Sequence, residues 1–350
     1  MKEFLLSIFS FNTLNIQWKI PRCVLVALIC ICGVEILFAR TDFFWKRVPK
    51  SDVTTFLDME EYIIPKKLKP AVLIFGSSRA RGAFLPTVME QQMDLSRGQV
   101  LNFGMGGNTR ARLFDAFKIY QRNRDILGKA DIMIIEISPG IFNSIHPPTT
   151  SELFRYLMSF SDWLEYKGQA RLSLLRSSVF KLPDVFPYIR EYIKYWLLNK
   201  HAPRPVGIDK YGRLALVRIA DDYAEYIERE DVLKDIIYRY EFPYKYSEIC
   251  EGYLKKLVSM ANEDGVRVYI IQIPYPEKFI QIYKRHPKSQ YGLYTKNVSN
   301  AVEDLVDSIQ FWEAASEVGL SNKDYRDVEH LNTGGAIKWT TFFVQWLKQI

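Results

Sequence analysis

The stretch AVLIFGSSRARG, residues 71–82, constrains the fold of this chain more than any other. Its first five residues are apolar and lie between Pro70 and Gly76, which is the pattern of a strand buried in a parallel sheet. The Gly-Ser-Ser that ends the run predicts a tight turn, although it is also ordinary helix-capping sequence. Ligands bind at this end of the strands in open α/β sheets. A serine there is a candidate nucleophile, because its hydroxyl and the following backbone N–H groups face the same cleft.

Strand and helix patterns alternate through most of the chain. Predicted strands cover 71–75, 99–103, 131–137, 266–273 and 309–312. Predicted helices cover 84–93, 110–127, 247–264, 280–285, 296–306 and 334–349. This alternation predicts an α/β fold, a three-layer α/β/α sandwich with a central parallel sheet and helices on both faces.

The alternation is interrupted between about 144 and 246, where the chain is rich in Tyr, Arg and Pro. The clearest helical patterns in this region are 153–164 and 188–198. A segment of this length is too long for a loop. We expect a helical insertion that forms a cap or docking subdomain beside the site.

The N-terminal part of the chain predicts a membrane anchor. Residues 1–22 form an N-terminal segment, and 23–39 are almost wholly apolar and about long enough to cross a bilayer as one transmembrane helix. A cleaved signal peptide is the competing interpretation, but no small-x-small cleavage site follows the apolar run. Basic residues on both sides leave the orientation open. Residues 40–70 are expected to form a juxtamembrane stalk, and 71–350 the α/β domain.

Composition narrows the possible functions. The net charge is +7, with 48% apolar and 25% charged residues, which is typical of a globular protein. No basic helix, zinc spacing or aromatic RNA-binding signature accompanies the charge, so nucleic acid is not an expected partner. The four cysteines include no CxxC pair and imply no disulfide framework.

Cofactor and metal motifs are also weak. The run from Gly104 to Gly107 resembles part of a dinucleotide fingerprint, but Thr109 occupies the third glycine position. The sequence holds no GxxxxGK[ST], no HExxH and no histidine pair at ligand spacing. We therefore expect neither a cofactor nor a metal.

A second candidate site feature lies near the C-terminus. His330 is one of four histidines, and Asp327 precedes it by three residues, just before the last predicted helix. The carboxylate could orient the ring through one nitrogen while the other nitrogen acts as a base. A surface aspartate near a helix cap is the simpler explanation of the pair.

Taken in order, these motifs resemble the SGNH (GDSL-like) hydrolase superfamily, over residues 71–137 and 247–350. The resemblance implies the SGNH or flavodoxin-like form of the sandwich. It also implies a catalytic triad in which Ser78 is the nucleophile, His330 the base and Asp327 its orienting carboxylate. The N–H groups of Ser78 and Gly107 would form the oxyanion hole. Ser77 stands where the family usually has Asp.

The third block departs from the family pattern. Where the family has Gly-x-Asn-Asp after a strand, this chain reads EISPGIFN from Glu136 to Asn143. The side-chain donor is therefore missing at its expected place. Asn108, Asn143 or a backbone N–H are the candidates to replace it, and loss of one donor costs on the order of a hundredfold in rate.

The Gly-Ser-Ser-Arg turn, the terminal Asp-x-x-His-Leu-Asn and the single anchor resemble one branch of the superfamily. These are the membrane-anchored proteins that accompany membrane-bound O-acyltransferases, such as those of teichoic acid D-alanylation and alginate acetylation. The resemblance implies a single-pass protein of the cell membrane, with its N-terminus in the cytoplasm and its main domain outside. It implies acyl transfer or ester hydrolysis on cell-surface polysaccharide or acylated carbohydrate.

Arg79 and Arg81 flank the candidate nucleophile and are candidates to bind an anionic substrate, or else solvated residues of a helix face. Two other functions stay open. One is a simple extracytoplasmic esterase. The other is a catalytically inactive scaffold that docks on a membrane-bound O-acyltransferase through Glu35, the anchor and the insertion. The missing donor supports the scaffold, and the intact serine, aspartate and histidine support an enzyme.

Overall fold

A computed structural model describes residues 22–35, 42–45, 51–66, 69–106, 112–144, 152–165, 193, 225–241, 243–287 and 289–350. The strands are β1 Val72–Phe75, β2 Val100–Asn102, β3 Ile132–Glu136, β4 Arg267–Gln272 and β5 Ser308–Phe311. They form one sheet in the order β2-β1-β3-β4-β5, and every pair is parallel. This is a common order for doubly wound sheets, and the order reverses beside β1.

Helices occupy most of the remaining described chain. In order, they are α1 Arg22–Val34, α2 Asp42–Trp45, α3 Asp52–Lys66, α4 Ser78–Ala83, α5 Pro86–Gln92, α6 Arg112–Arg122, α7 Arg124–Leu127, α8 Glu152–Leu157, α9 Phe160–Glu165, α10 Glu230–Glu241, α11 Glu248–Glu263, α12 Glu277–Arg285, α13 Tyr291–Val302 and α14 Thr333–Leu347. Short 3₁₀ turns lie at Pro139–Phe142, Glu225–Glu228, Glu303–Leu305, Ala315–Val318 and Asn322–Asp324.

Each face of the sheet supports its own apolar core. Leu73 and Phe75 of β1 point into a core shared with α3, α6, α11, α12 and α13. Val72 and Ile74 point into the opposite core, shared with α4, α5 and α14. Alternate residues of a strand face opposite sides of a sheet, which is why one apolar run supplies both cores. Helices therefore cover both faces, consistent with a three-layer sandwich.

The strand predictions agree with the structure to within one residue at every strand end. Three helix predictions were wrong in detail. The predicted helix 84–93 is preceded by α4, which already begins at Ser78, and α5 begins only at Pro86, because Phe84 and Leu85 are extended. The predicted helix 110–127 ends at Arg122, and Asn123 separates it from α7. The predicted helix 153–164 is interrupted between α8 and α9, where the Asp162 carboxylate accepts from the Ser159 N–H.

The helix of the expected stalk packs against the α/β domain. Val53, Phe56 and Leu57 of α3 are buried in the first core. Asp52, at the start of α3, also pairs with Arg112 of α6 at 3.1 Å. The first half of α3 is therefore packed into the first core.

The predicted anchor, residues 23–39, is described only as far as residue 35. No helix in the described part of the chain combines the length and apolar character needed to cross a bilayer. Helix α1 presents exposed apolar side chains, among them Leu25, Val26 and Ile29. The helix predicted at 188–198 lies outside the described residues, apart from Ile193.

Candidate active site

The turn after β1 places Ser78 at the first position of α4. Gly76 has φ of +154°, and Ser77 is extended, so the chain turns sharply from the strand into the helix. The Ser77 hydroxyl caps the helix by accepting from the Arg79 N–H at 3.2 Å. As the first helical residue, Ser78 has no intrahelical acceptor for its N–H. Its side chain is partly exposed at the carboxyl edge of the sheet.

Glu136, the last residue of β3, supports this turn from the neighbouring strand. One carboxylate oxygen, Oε2, accepts from the Ser77 N–H at 2.8 Å and from the Ser77 hydroxyl at 2.9 Å. The side chain is 0% exposed. Burial raises the pKa of Glu136, against the opposing effects of the Arg79 charge and the Ser77 hydrogen bonds. A side chain at Gly76 would lie 2.7 Å from this carboxylate, which explains the glycine.

Asp327 and His330 lie on a compact loop just before α14. The Asp327 carboxylate accepts from the backbone N–H groups of Glu329 and His330, at 2.9 and 2.8 Å. The same carboxylate contacts His330 Nδ1 at 2.8 and 3.0 Å. The loop is closed by the Arg326 N–H, which donates to the His330 carbonyl oxygen at 3.0 Å. Asn332 then caps α14 by accepting from the Gly335 N–H.

His330 Nε2 lies 2.7 Å from Ser78 Oγ, so residues from opposite ends of the domain meet. A carboxylate only accepts hydrogen bonds, so Nδ1 carries the proton and Nε2 is left to accept from the serine hydroxyl. The Asp327 and His330 side chains are 31% and 16% exposed. Burial raises the pKa of Asp327, but the bonds from His330 and the two backbone N–H groups outweigh it and lower the pKa overall. Ser78, His330 and Asp327 thus form one continuous hydrogen-bond chain.

Arg79 points into the protein rather than toward a cleft. Its side chain is 3% exposed. One terminal nitrogen, Nη2, donates to the carbonyl oxygens of Ile273 and Pro274, at 2.5 and 3.1 Å. Nε donates to the Glu329 carbonyl oxygen at 3.3 Å, and the guanidinium lies 3.8 Å from the ring centre of Tyr275. Arg79 is therefore a buried structural residue beside Ser78, in contrast to the substrate contact considered from sequence.

Arg81 is only partly buried, on the same helix. Its guanidinium lies over Gly106, where an added side chain would be 3.1 Å from it. Burial lowers the pKa of Arg81, the nearby positive charges of Arg112 and Arg326 lower it further, and Asp52 partly offsets them. Three arginines of like charge therefore lie around the loop after β2, and Arg81 remains a candidate for an anionic ligand.

The loop after β2 approaches α4 closely. The Asn102 amide donates to the carbonyl oxygens of Ala80 and Phe84, at 3.1 and 3.0 Å, and its oxygen accepts from the Gly104 N–H at 2.9 Å. A side chain at Gly104 would lie 2.5 Å from the backbone nitrogen of Arg81. The loop is thereby held against α4, the helix that begins at Ser78. Gly107 and Asn108, the expected oxyanion donors from this loop, lie outside the described residues.

Asn143 is not free to serve as an oxyanion donor. Its amide donates to the Pro243 carbonyl oxygen at 3.3 Å and its oxygen accepts from the Lys245 N–H at 3.3 Å. The backbone also bridges to Tyr246. Asn143 therefore joins the end of the insertion to the sheet, and both ends of its amide are already engaged.

One described part of the insertion, residues 225–228, lies beside the loop that carries Asp327 and His330. Ile227 is buried in the second core. The Glu228 carboxylate accepts from the Asn322 amide at 3.1 Å. Burial raises the pKa of Tyr226, as does the nearby Asp327 carboxylate. Residues 225–228 thus form one wall next to Asp327.

Sequence reasoning missed Glu136 and Asn102 as site residues. Each is a polar residue that ends an otherwise apolar strand, and that position was the available signal. In the part of the chain that the structure describes, no group of three or more His, Cys, Asp or Glu side chains could hold a metal ion.

No protein-family model matches the chain, and no curated protein matches it significantly.

Proposed function

We propose that this protein is a serine acyltransferase or esterase of the SGNH type, acting on acyl esters of cell-surface carbohydrate. The observation that carries the proposal is the continuous hydrogen-bond chain from Ser78 through His330 to Asp327. The position of the serine supports it too, since ligands of doubly wound sheets bind at the carboxyl edge where the strand order reverses. The strand order is the flavodoxin-like one, which suits an SGNH fold.

In the proposed reaction, His330 Nε2 takes the proton of Ser78 as Oγ attacks the carbonyl carbon of an acyl ester. Asp327 keeps the ring in the tautomer that accepts this proton and stabilises the imidazolium that forms. Collapse of the tetrahedral intermediate releases the alcohol, which takes the proton from His330. Water or a sugar hydroxyl then attacks the acyl-serine, with His330 again acting as base.

The oxyanion of each tetrahedral intermediate needs hydrogen-bond donors. The N–H of Ser78 is one candidate, since it lacks an intrahelical acceptor. Gly107 is the second candidate, by the resemblance stated above. Because Asn143 is engaged elsewhere, no side-chain amide from the third block joins them.

The proposed location is the outer face of a cell membrane, with α1 as part of a single N-terminal anchor. Helix α1 carries a series of exposed apolar side chains, and such a surface favours lipid over water. Arg81, which is only partly buried, supplies positive charge near the site. That charge suits a polysaccharide that bears acidic groups.

The test is an assay of acyl-ester turnover with the full-length chain in detergent, with and without carbohydrate acceptors. Turnover is expected from wild type and from His286→Gln, a histidine outside the site. It should fall by at least a hundredfold in Ser78→Ala and His330→Gln. An acceptor that diverts the acyl group from water indicates a transferase. Equal turnover in all four proteins would overturn the proposal.

A second candidate is an inactive SGNH-like scaffold for a membrane-bound O-acyltransferase. The engagement of Asn143 with residues 243–245 favours it, because that block then lacks its usual oxyanion donor. Wild-type protein that folds but turns over no ester, alone or with a co-purified acyltransferase, would support the scaffold.

A further inference from the structure

The residues on either side of Ser78 are both held by buried charged side chains. Ser77 is fixed by Glu136, which binds its N–H and its hydroxyl. Arg79 is fixed through its own guanidinium, which binds three backbone carbonyl groups. Ser78 itself contacts His330. The reacting side chain thus lies between two anchored neighbours.

The anchors come from separate parts of the fold. Glu136 ends β3, while two of the carbonyl acceptors of Arg79, Ile273 and Pro274, directly follow β4. The third acceptor is the Glu329 carbonyl, one residue before His330. Arg79 therefore links the helix that carries the nucleophile to the loop that carries the base. Movement of either element would lengthen the distance between Ser78 and His330.

Stability alone explains these two residues poorly. Glu136 and Arg79 are 0% and 3% exposed. In the part of the chain that the structure describes, Glu136 Oε1 and Arg79 Nη1 make no hydrogen bond. Buried charged groups with unsatisfied atoms destabilise a fold, and apolar replacements of similar volume are often neutral or stabilising. Such groups are concentrated at functional sites.

We propose that Glu136 and Arg79 are positioning residues that keep Ser78 Oγ at hydrogen-bond distance from His330 Nε2. The catalytic consequence rests on the proposed function, whereas the geometric claim does not. Misplacement of reacting groups by about 1 Å can reduce a rate about a hundredfold. Replacement of Glu136 or Arg79 should therefore lower the rate at which Ser78 reacts, without changing the surface that first binds a ligand.

The test compares Glu136→Ala, Glu136→Gln and Arg79→Lys with wild type, using the full-length chain in detergent. Glu90→Gln is the matched control, because Glu90 is also 3% exposed and accepts from the N–H groups of Gly98 and Val100. Glutamine at 136 keeps the volume and one acceptor oxygen, so this variant serves if alanine prevents folding. Lysine at 79 keeps the positive charge but cannot donate to all three carbonyl oxygens in the geometry of the guanidinium.

The first readout is the rate of covalent labelling by a fluorophosphonate over a range of concentrations. For Glu136→Ala and Arg79→Lys, the maximal labelling rate is expected to fall tenfold to a hundredfold, roughly. The half-saturating fluorophosphonate concentration should stay within about twofold of the wild-type value. In Glu90→Gln, both this concentration and the maximal rate should stay within about twofold of wild type. Glu136→Gln should lie between Glu136→Ala and wild type. Maximal rates in all variants equal to the control would overturn the proposal.

The second readout does not depend on activity. In [¹⁵N]histidine NMR spectra, loss of the hydrogen bond from Ser78 shifts the Nε2 resonance of His330, and Ser78→Ala gives the reference position. The Glu136 and Arg79 variants should move toward that reference, with the His286 resonance unchanged. If the fluorophosphonate does not react with the wild-type protein, that result counts against the proposed function and leaves the positioning role to be decided by the NMR spectra. His330 resonances at the wild-type position in these variants would overturn the positioning role.

Discussion

The hydroxyl of Thr340 donates to the carbonyl oxygen of Ala83 at 2.8 Å and also accepts from the Leu85 N–H at 3.1 Å. This fully buried side chain joins α14, which follows the loop of Asp327 and His330, to the end of α4, which begins at Ser78. It satisfies backbone groups that the extended residues after α4 leave without helical partners. The two ends of the domain are therefore held together close to the reacting residues.

Replacing Thr340 by Val should remove both hydrogen bonds while keeping the volume. We expect the free energy of unfolding to fall by about 1–3 kcal/mol, because a buried carbonyl and a buried N–H lose their partner. Urea unfolding measures the change, and Thr340→Ser should restore most of it. Thr341→Val is the matched control, since Thr341 is only partly buried and bonds the Gln92 side chain. Equal losses at both positions would contradict this account.

Replacing Gly76 by Ala should disrupt the turn before Ser78. The added carbon would lie 2.7 Å from Glu136 and 2.8 Å from Ala80, at a backbone φ of +154°. We expect the free energy of unfolding to fall by about 3 kcal/mol or more, because overpacking and backbone strain act together. Gly82→Ala, six residues later and within α4, meets nothing within 4 Å. It should leave the unfolding midpoint unchanged or raise it slightly. Similar midpoints for the two variants would refute the steric explanation.

Stability should depend on pH through Asp115. Burial raises the pKa of Asp115 to about 7, although Arg112 at 2.9 Å opposes the shift. The folded state then holds a proton that the unfolded state releases near pH 4, so the contribution of this group falls as pH rises from about 4 to 7. Above pH 7 the contribution is constant. Urea unfolding across this window should show a shallower decline in Asp115→Asn than in wild type. If the free energy of unfolding depends on pH in the same way in both proteins, the raised pKa of Asp115 is contradicted.

Arg81 is expected to bind acidic groups of a substrate. Arg81→Gln should weaken inhibition by a soluble acidic polysaccharide about tenfold, because one nearby charge is removed from a partly buried site. Labelling by a neutral fluorophosphonate should stay within about twofold. Arg97→Gln provides the control, since Arg97 is exposed and lies on the loop before β2. An equal effect of both variants on polyanion inhibition would indicate general charge rather than a site.

The sequence was sufficient to predict the sheet and the order of the candidate site residues. Buried parallel strands are continuous apolar runs, so Val72–Phe75 and Ile132–Glu136 are visible without a structure. The Asp327 and His330 spacing also suggested that the carboxylate orients the imidazole ring. Whether that pair meets Ser78 depends on long-range packing, and local patterns carry no such information.

The helix interruptions and the buried charges could not be predicted in the same way. Asn123 ends α6 because its side chain binds Glu60 on α3 at 2.8 Å, a contact between distant segments. Arg79 looked like a surface residue because arginines usually are exposed. Its carbonyl acceptors follow β4 and precede His330, so its burial could be recognised only in three dimensions. The role of α3 in the first core was hidden for the same reason.

Mass spectrometry of the phosphonylated protein shows whether Ser78 is the reacting residue and whether His330 activates it. Full-length wild type is incubated with a fluorophosphonate, digested, and compared with Ser78→Ala, His330→Gln and Asp327→Asn. We predict one adduct on the peptide that contains Ser78, absent from Ser78→Ala and at least a hundredfold slower to form in the other two variants. An adduct on another residue, or equal rates in wild type and His330→Gln, would contradict the account.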